Sequence, residues 1–251
     1  MSASGATMFA RFAFPPNLEG YCGSPRAEEL FAYGAGQQAP DPGLETLARS
    51  FEGAWPYLEL LNTVADQNDP LGYDVVEAYW LGNALLADVR PGCWGNHLAD
   101  RFSSRSGDAL GRITAEVGSG AVPNHAFHVF GVYPWIGLIR RGLGVPEPLR
   151  VLNRCRIRWG TVLGIEGETA TVHSRPLEWN GTTLLLGDAI VETAECGAEG
   201  GLAGTLTPGD TVALHWNWIC QRLTRTQVGW LTRVTRSQLN LFNKSPSDAL
   251  G

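Results

Sequence analysis

The sequence contains little charge, and its basic residues are few and scattered. Charged residues make up 18% of the 251 residues, and the formal net charge is -6. A surface that binds nucleic acid through its phosphates needs clustered Lys and Arg, so nucleic acid is excluded as a partner class. The hydrophobic fraction of 44% and the nine tryptophans are typical of a folded globular chain.

Long apolar runs are missing as well. Residues 1–13 contain one basic residue and no long apolar run, unlike a signal peptide. No stretch reaches the roughly 18 apolar residues that a membrane span needs, so we expect a soluble cytoplasmic protein with no membrane partner. The five cysteines include no Cys-x-x-Cys pair, which fits a reducing compartment and excludes a common zinc spacing. Any reactive or ligating cysteine must therefore act singly.

Common catalytic motifs are also missing. The chain has no Gly-x-Ser-x-Gly elbow, no His-Glu-x-x-His zinc motif and no dinucleotide-binding fingerprint. An ordinary hydrolase or dehydrogenase is therefore not predicted.

The first half of the chain has helical patterning. Apolar residues recur at three- and four-residue spacing over residues 44–55 and 75–80, which predicts core-facing helices. Ser24 and Pro25, followed by two acidic residues, predict a helix start near Pro25. The aromatic, turn-rich residues 14–23 predict an ordered arm over the core. Residues 123–140 are apolar and aromatic, and their pattern does not distinguish helix from strand.

The pattern changes at residues 142–148, where glycine and proline accumulate, and we place a domain boundary there. Beyond it, short runs rich in β-branched residues predict the strands of a small barrel. These runs are residues 161–163, 169–173, 183–186 and 211–215. Thr224 and Gln227 form a capping box that opens a closing helix. We predict an α+β chain with a mainly helical domain at residues 1–145, followed by a small OB-like β-barrel domain with a C-terminal helix at residues 146–251.

The second half carries an ordered series of motifs. Cys155 is followed by Gly160-Thr161-Val162, then by the hairpin Glu166-Gly167-Glu168, and later by Pro208-Gly209-Asp210-Thr211-Val212-Ala213-Leu214-His215. In this order and spacing, the segment from residue 155 to about residue 243 resembles the HypC/HupF family of [NiFe]-hydrogenase assembly chaperones. The N-terminal half resembles an uncharacterised actinobacterial family associated with hydrogenase gene neighbourhoods.

The resemblance implies a function and two metal ligands. In the HypC/HupF family, the leading cysteine and the histidine of the late strand hold the iron that is being fitted with cyanide and carbon monoxide, and these roles fall on Cys155 and His215. A thiolate and an imidazole are suitable donors for iron. The implied function is an accessory protein for [NiFe]-hydrogenase maturation that holds an iron-cyanide/carbonyl unit transiently. Its implied partner is a hydrogenase maturation protein or the hydrogenase large-subunit precursor.

The sequence departs from this family near the predicted ligand. The family cysteine follows the initiator methionine, whereas Cys155 lies far inside the chain. Trp159 stands where the family usually has a proline before the glycine. A role that needs a terminal cysteine is therefore not transferred to Cys155.

Two other functional classes remain open from the residues alone. His125 and His128 are three residues apart, which places both on one face if the segment is helical. They predict a second metal site, and with it the alternative function of a metal-dependent enzyme whose site lies in the helical domain. The remaining alternative is an interaction scaffold, in which Cys155 and His215 are ordinary buried residues. The sequence does not decide whether the protein is an enzyme.

Overall fold

The computed structural model describes residues 4–95, 120–133, 135–198 and 201–244. Helices fill the first half of the chain, and the second half forms a β-barrel followed by a long helix. The predicted α+β class is confirmed. Within the described ranges, no helix is both long and apolar enough to cross a membrane.

The described helices are α1 (Gly5–Leu18), α2 (Ala27–Gly34), α3 (Pro42–Arg49), α4 (Trp55–Val64), α5 (Tyr73–Trp80), α6 (His125–Phe127), α7 (Trp135–Arg140), α8 (Pro146–Cys155) and α9 (Arg225–Lys244). A 3-10 helix spans Ala84–Ala87, and a π-helix, His128–Val132, directly continues α6. The helix predicted to start near Pro25 is α2, which begins at Ala27 with Arg26, and not Ser24, at its N-cap position.

Helix α1 lies in the centre of the structure and is buried over most of its length. The Ser4 side chain caps it by accepting a hydrogen bond from the Thr7 amide. The predicted arm over residues 14–23 is wrong for its first part, because α1 continues through Pro15 and Pro16 to Leu18. Prolines weaken a helix interior, but the phenylalanines of α1 are buried and stabilise it by packing.

The strands are β1 (Arg158–Glu166), β2 (Thr169–Ser174), β3 (Leu177–Trp179), β4 (Leu184–Leu186), β5 (Ile190–Glu195), β6 (Thr211–His215) and β7 (Trp218–Arg222). A closed barrel has the strand order β1-β2-β5-β7-β6, and β3 and β4 form a separate two-stranded sheet. The prediction that residues 183–186 form a barrel strand is therefore wrong, because these residues contain β4, which pairs with β3 in the separate sheet. Patterning identifies a strand, but it does not reveal the strand's partner.

The turns and the closing helix follow the predicted chemistry. Gly167 adopts φ +59 in the β1–β2 hairpin, a conformation that glycine adopts without steric cost. The capping box is present: the Thr224 amide donates to the Gln227 side chain (2.9 Å), and the Gln227 amide donates to the Thr224 hydroxyl (3.2 Å). Helix α9 begins at Arg225, directly after Thr224.

Two hydrophobic clusters hold the structure together. The smaller one fills the barrel interior. The larger one combines side chains of the helical half with residues of α8, β6, β7 and α9. The two halves therefore share one core, and the proposed domain division at residue 145 stays a prediction.

Buried arginines connect α8 to the barrel. Arg158 forms an ion pair with Glu192 (3.0 Å) and donates to the Trp216 carbonyl (2.8 Å) and the Asn153 carbonyl (3.1 Å). Arg156 is equally buried. Burial, together with the nearby Arg158 guanidinium, lowers the Arg156 pKa to about 9.

The contact between α1 and the start of α5 can be tested with one added methyl group. A Cβ atom at Gly5 would come within 2.2 Å of the Leu71 carbonyl oxygen and 2.6 Å of the Tyr73 nitrogen. These are backbone atoms, so the helices must separate, and we expect Gly5→Ala to lower the free energy of unfolding by about 2 kcal/mol. The control is Gly229→Ala in α9, where an added Cβ meets nothing within 4 Å. In urea unfolding, this control should raise the free energy of unfolding by roughly 0.5–1 kcal/mol. Equal effects would contradict the close packing.

Candidate metal centre

Three potential metal ligands converge where the helical half meets the barrel. His125 begins α6, Cys155 ends α8, and His215 ends β6. All three are buried, and one ligand atom from each lies within 4.8 Å of the other two. The structure thus brings together the predicted pair, Cys155 and His215, and adds His125 from the second predicted site. His128 is not a member of this group.

Asn124 positions His125. Its side chain accepts a hydrogen bond from the Ala126 amide (2.8 Å) and donates to the carbonyls of Ala78 (2.7 Å) and Tyr79 (2.8 Å). These bonds cap α6 and attach it to the end of α5. The chain then widens into the π-helix at His128, a feature that is frequent at functional sites.

The His125 ring has a defined tautomer. Its Nε2 lies 2.8 Å from the Cys155 carbonyl oxygen, and because a carbonyl only accepts, Nε2 carries the proton. The lone pair is therefore on Nδ1, 3.3 Å from the Tyr79 hydroxyl. That hydroxyl also lies 3.3 Å from the Gly53 carbonyl, which gives it a second acceptor if Nδ1 binds a metal.

His215 has a buried ring nitrogen with a free lone pair. Its Nδ1 donates to the Phe12 carbonyl at 2.6 Å, so its lone pair is on Nε2. Within the described ranges, this buried Nε2 has no hydrogen-bond partner. The Cys155 carbonyl is near enough to raise the His215 pKa against the effect of burial, but it cannot bond to Nε2 of the neutral ring, because both atoms are acceptors. This lone pair is therefore available to bind a metal, and the residues present fit such a role.

Cys155 lies at the end of α8, whereas the family resemblance implied that it lies on a strand. It is the last residue of that helix, and the next residue leaves the helix in an extended conformation. The turn after His215 is also unusual, because Trp216 adopts φ +53, which is a strained conformation for a bulky side chain. The Trp216 amide donates to the Arg154 carbonyl (2.7 Å), so α8 and the β6–β7 turn hold each other in place.

Burial makes the three ligands electrically neutral. It lowers the pKa of His125 to about 4 and lowers that of His215 well below the usual value, with His125 adding to the effect. It also raises the pKa of the Cys155 thiol. Two neutral imidazoles can bind a cation without losing a proton, whereas the thiol must release one.

An apolar cavity of about 40 Å³ adjoins the three ligands. Its walls include His128, Tyr133 and Cys22 in addition to the ligand residues. Burial raises the pKa of Cys22 to about 11, so this second thiol is also neutral at physiological pH. The cavity has room for a few atoms beside a bound metal.

The number, type and spacing of the donor atoms indicate which metals the site can bind. Bonds slightly longer than 2 Å bring tetrahedral donors to about 3.5–4 Å from each other, so the ligand atoms, at up to 4.8 Å, need to approach by about 1 Å. One thiolate and two imidazoles suit iron, zinc or copper. Three protein donors are one fewer than a closed structural zinc site uses, which leaves a position for an exogenous ligand.

The sequence indicates all three ligands, but it predicts neither the meeting of His125 with Cys155 nor the role of the Phe12 carbonyl. Nothing in the spacing of His125 and Cys155 indicates that they meet, because their contact depends on the packing of α6 against α8. The Phe12 carbonyl has no sequence signature at all. The sequence does contain a signal for Asn124, because asparagine is a common N-cap residue directly before a helix.

The chain belongs to DUF6390, a family of unknown function, whose profile matches residues 1–249. Comparisons with curated proteins and with solved structures found no match.

The neutral histidines predict a pH-dependent stability of the metal-free protein. An unfolded histidine is protonated below its usual pKa of about 6.5, whereas folded His125 stays neutral until about pH 4. The contribution of His125 to the free energy of unfolding is therefore present above about pH 6.5 and is lost as the pH falls towards 4. Between about pH 7 and pH 5, we expect His125 alone to cost about 2 kcal/mol.

Urea unfolding at both pH values tests this expectation. His125→Gln should remove about 2 kcal/mol of the pH-dependent loss, and His173→Gln, at an exposed position on β2, should leave the loss unchanged. If His125→Gln shows the same pH dependence as the parent protein, His125 does not fold in its neutral form.

Proposed function

We propose that this protein is a cytoplasmic accessory factor for [NiFe]-hydrogenase maturation that holds an iron unit transiently through Cys155 and His215, with His125 as a third donor. One observation carries the proposal. The two residues that match the iron-handling pair of the HypC/HupF chaperones lie in one buried group, although they are far apart in the sequence.

The chemistry of the site supports iron as cargo. A thiolate is a soft donor that suits iron carrying carbon monoxide and cyanide, and imidazole is a common second donor. Three protein ligands leave coordination positions open, and the adjoining apolar cavity of about 40 Å³ can accept small ligands of the iron.

The surface of the barrel supports docking to a protein partner. Leu163 and Ile165 on β1 and Ile190 and Val191 on β5 are each between 41% and 61% exposed. Strand β2 pairs with both of these strands. Exposed apolar residues on the two strands that flank β2 can contribute to an interaction surface, and a hydrogenase maturation protein or the large-subunit precursor is the proposed partner.

The alternative of a metal-dependent enzyme around His125 and His128 receives less support. Nδ1 of His128 lies 3.3 Å from the Tyr57 hydroxyl, whereas His125 forms a group with Cys155 and His215. A site that used both histidines as ligands would have to rearrange this group.

Cobalt binding tests the metal centre directly. Under anaerobic conditions, we expect Co²⁺ to bind with visible ligand-field bands and with an ultraviolet band from thiolate-to-metal charge transfer. Cys155→Ser should remove the ultraviolet band and weaken binding at least about 100-fold, because oxygen is a harder donor. Cys196→Ser, at another buried cysteine, is the matched control and should leave both signals intact.

The same titration with Fe²⁺ and Zn²⁺, followed by metal analysis, ranks the metals. His215→Ala should also abolish tight binding, since it removes the unpartnered Nε2. Absence of binding by the parent protein, or equal losses in Cys155→Ser and Cys196→Ser, would refute the metal centre.

Hydrogenase maturation in the host tests the role of that centre. With Cys155→Ser as the only copy, we expect hydrogenase activity to be lost. The variant should accumulate normally, because sulfur and oxygen are similar in size. Strains carrying Cys196→Ser should retain activity. Normal hydrogenase activity in the Cys155→Ser strain would disprove the assembly role, even if the purified protein binds metal.

A further inference from the structure

A second pocket, separate from the metal centre, lies between α8, the barrel and the β3–β4 sheet. It has a volume of about 20 Å³ and is lined by Arg156, Trp159, Arg175 and Leu186. Two of these four side chains are guanidinium groups, and none is acidic. The pocket therefore offers donors and positive charge to anything that enters it.

The Arg156 guanidinium is buried and forms no direct ion pair with any residue that the structure describes. Only 2% of the residue is exposed, and its Nη2 donates to the Asn153 side chain (3.2 Å) and to the Arg175 carbonyl oxygen. Its Nε has no hydrogen-bond partner in the described part of the chain. The carboxylate of Glu192 is paired with Arg158 instead. Glu192 attracts the Arg156 charge without bonding to it, so the remaining cost is that of the unused Nε donor, which a ligand can remove by supplying an acceptor.

Arg175 is held at the pocket by the backbone of the neighbouring sheet. Its Nε donates to the Gly187 carbonyl (2.7 Å) and its Nη2 donates to the Leu186 carbonyl (3.0 Å). Among the residues that the structure describes, it forms no ion pair, not even with Glu178, which packs against Gly187. The guanidinium is thus oriented in advance by backbone carbonyls.

We propose that this pocket binds a carboxylate group. A carboxylate is planar, carries one negative charge and offers two acceptor oxygens, which match the fork of a guanidinium. A volume of about 20 Å³ accommodates one or two small atoms, so the pocket fits the oxygens of a carboxylate better than a tetrahedral phosphate. Trp159 and Leu186 then provide apolar contacts for the carbon atoms that carry the group.

The carboxylate can belong to a small molecule or to a protein chain. Both present the same group to Arg156 and Arg175, and they differ in what continues outside the pocket. Arg156 follows Cys155 in the chain, but the pocket shares no lining residue with the cavity beside the three metal ligands, so carboxylate binding requires neither a metal nor the hydrogenase role.

Titration of the full-length, ¹⁵N-labelled, metal-free protein tests the pocket by NMR. The arginine Nε–H resonances report the site, and the probes are sodium formate, sodium acetate, sodium phosphate and sodium chloride at equal ionic strength. We expect formate and acetate to shift the Arg156 Nε–H signal to a saturating value, whereas chloride produces no saturable shift.

Two variants separate the pocket from general charge effects. Arg175→Gln should weaken formate binding at least tenfold, and because Arg175 is exposed, this change should not prevent folding. Arg222→Gln removes one exposed arginine elsewhere on the barrel and should leave formate binding unchanged. Equal affinity in the parent protein and Arg175→Gln would overturn the proposal, as would tighter binding of phosphate than of formate.

A short acetylated peptide with a free C-terminal carboxylate, compared with its amide, identifies the source of the group. Binding of the free acid at least tenfold tighter than acetate, with no binding of the amide, assigns the site to a protein chain end. Binding no tighter than acetate assigns it to a small carboxylate. If neither the peptide acid nor acetate produces a saturable shift, the pocket does not bind carboxylates.

Discussion

The hydrogen bond from His215 Nδ1 to the Phe12 carbonyl oxygen, 2.6 Å long, is the contact on which the arrangement of the candidate site depends. It joins the end of a barrel strand to the central helix of the other half. Because the carbonyl can only accept, the bond places the proton on Nδ1 and the lone pair on Nε2. Outer hydrogen bonds of this kind orient the histidines of most metal sites.

Cys155 takes part in the site through both its side chain and its backbone. Its carbonyl accepts the hydrogen bond from His125 Nε2, while its thiol is a potential ligand. A change in the position of this one residue would therefore alter two of the three donors. The residue ends α8, which the buried Arg158 ties to the barrel through the Asn153 and Trp216 carbonyls.

The surroundings of the three ligands are aromatic and dry. The Trp80 ring lies 4.7 Å from the His125 ring and 5.5 Å from the His215 ring, and the two imidazoles are 5.2 Å apart, measured between centroids. Such walls exclude water, which keeps the imidazoles neutral and the thiol protonated. In the proposed function, the helical half thus shields an iron unit that a barrel alone would expose.

The sequence by itself determined the local structure. The capping box at Thr224, the glycine turn at Gly167 and most of the strand runs follow from the conformations that these residues favour over a few neighbours. The family resemblance also drew attention to Cys155 and His215, the two residues that the structure places with His125. Tertiary structure alone decided that residues 183–186 pair outside the barrel, that residues 14–18 complete a buried helix, and that His125 joins the other two ligands. The physical reason is that strand pairing and side-chain convergence depend on packing between distant segments, and periodicity within one segment carries no information about its neighbours in space.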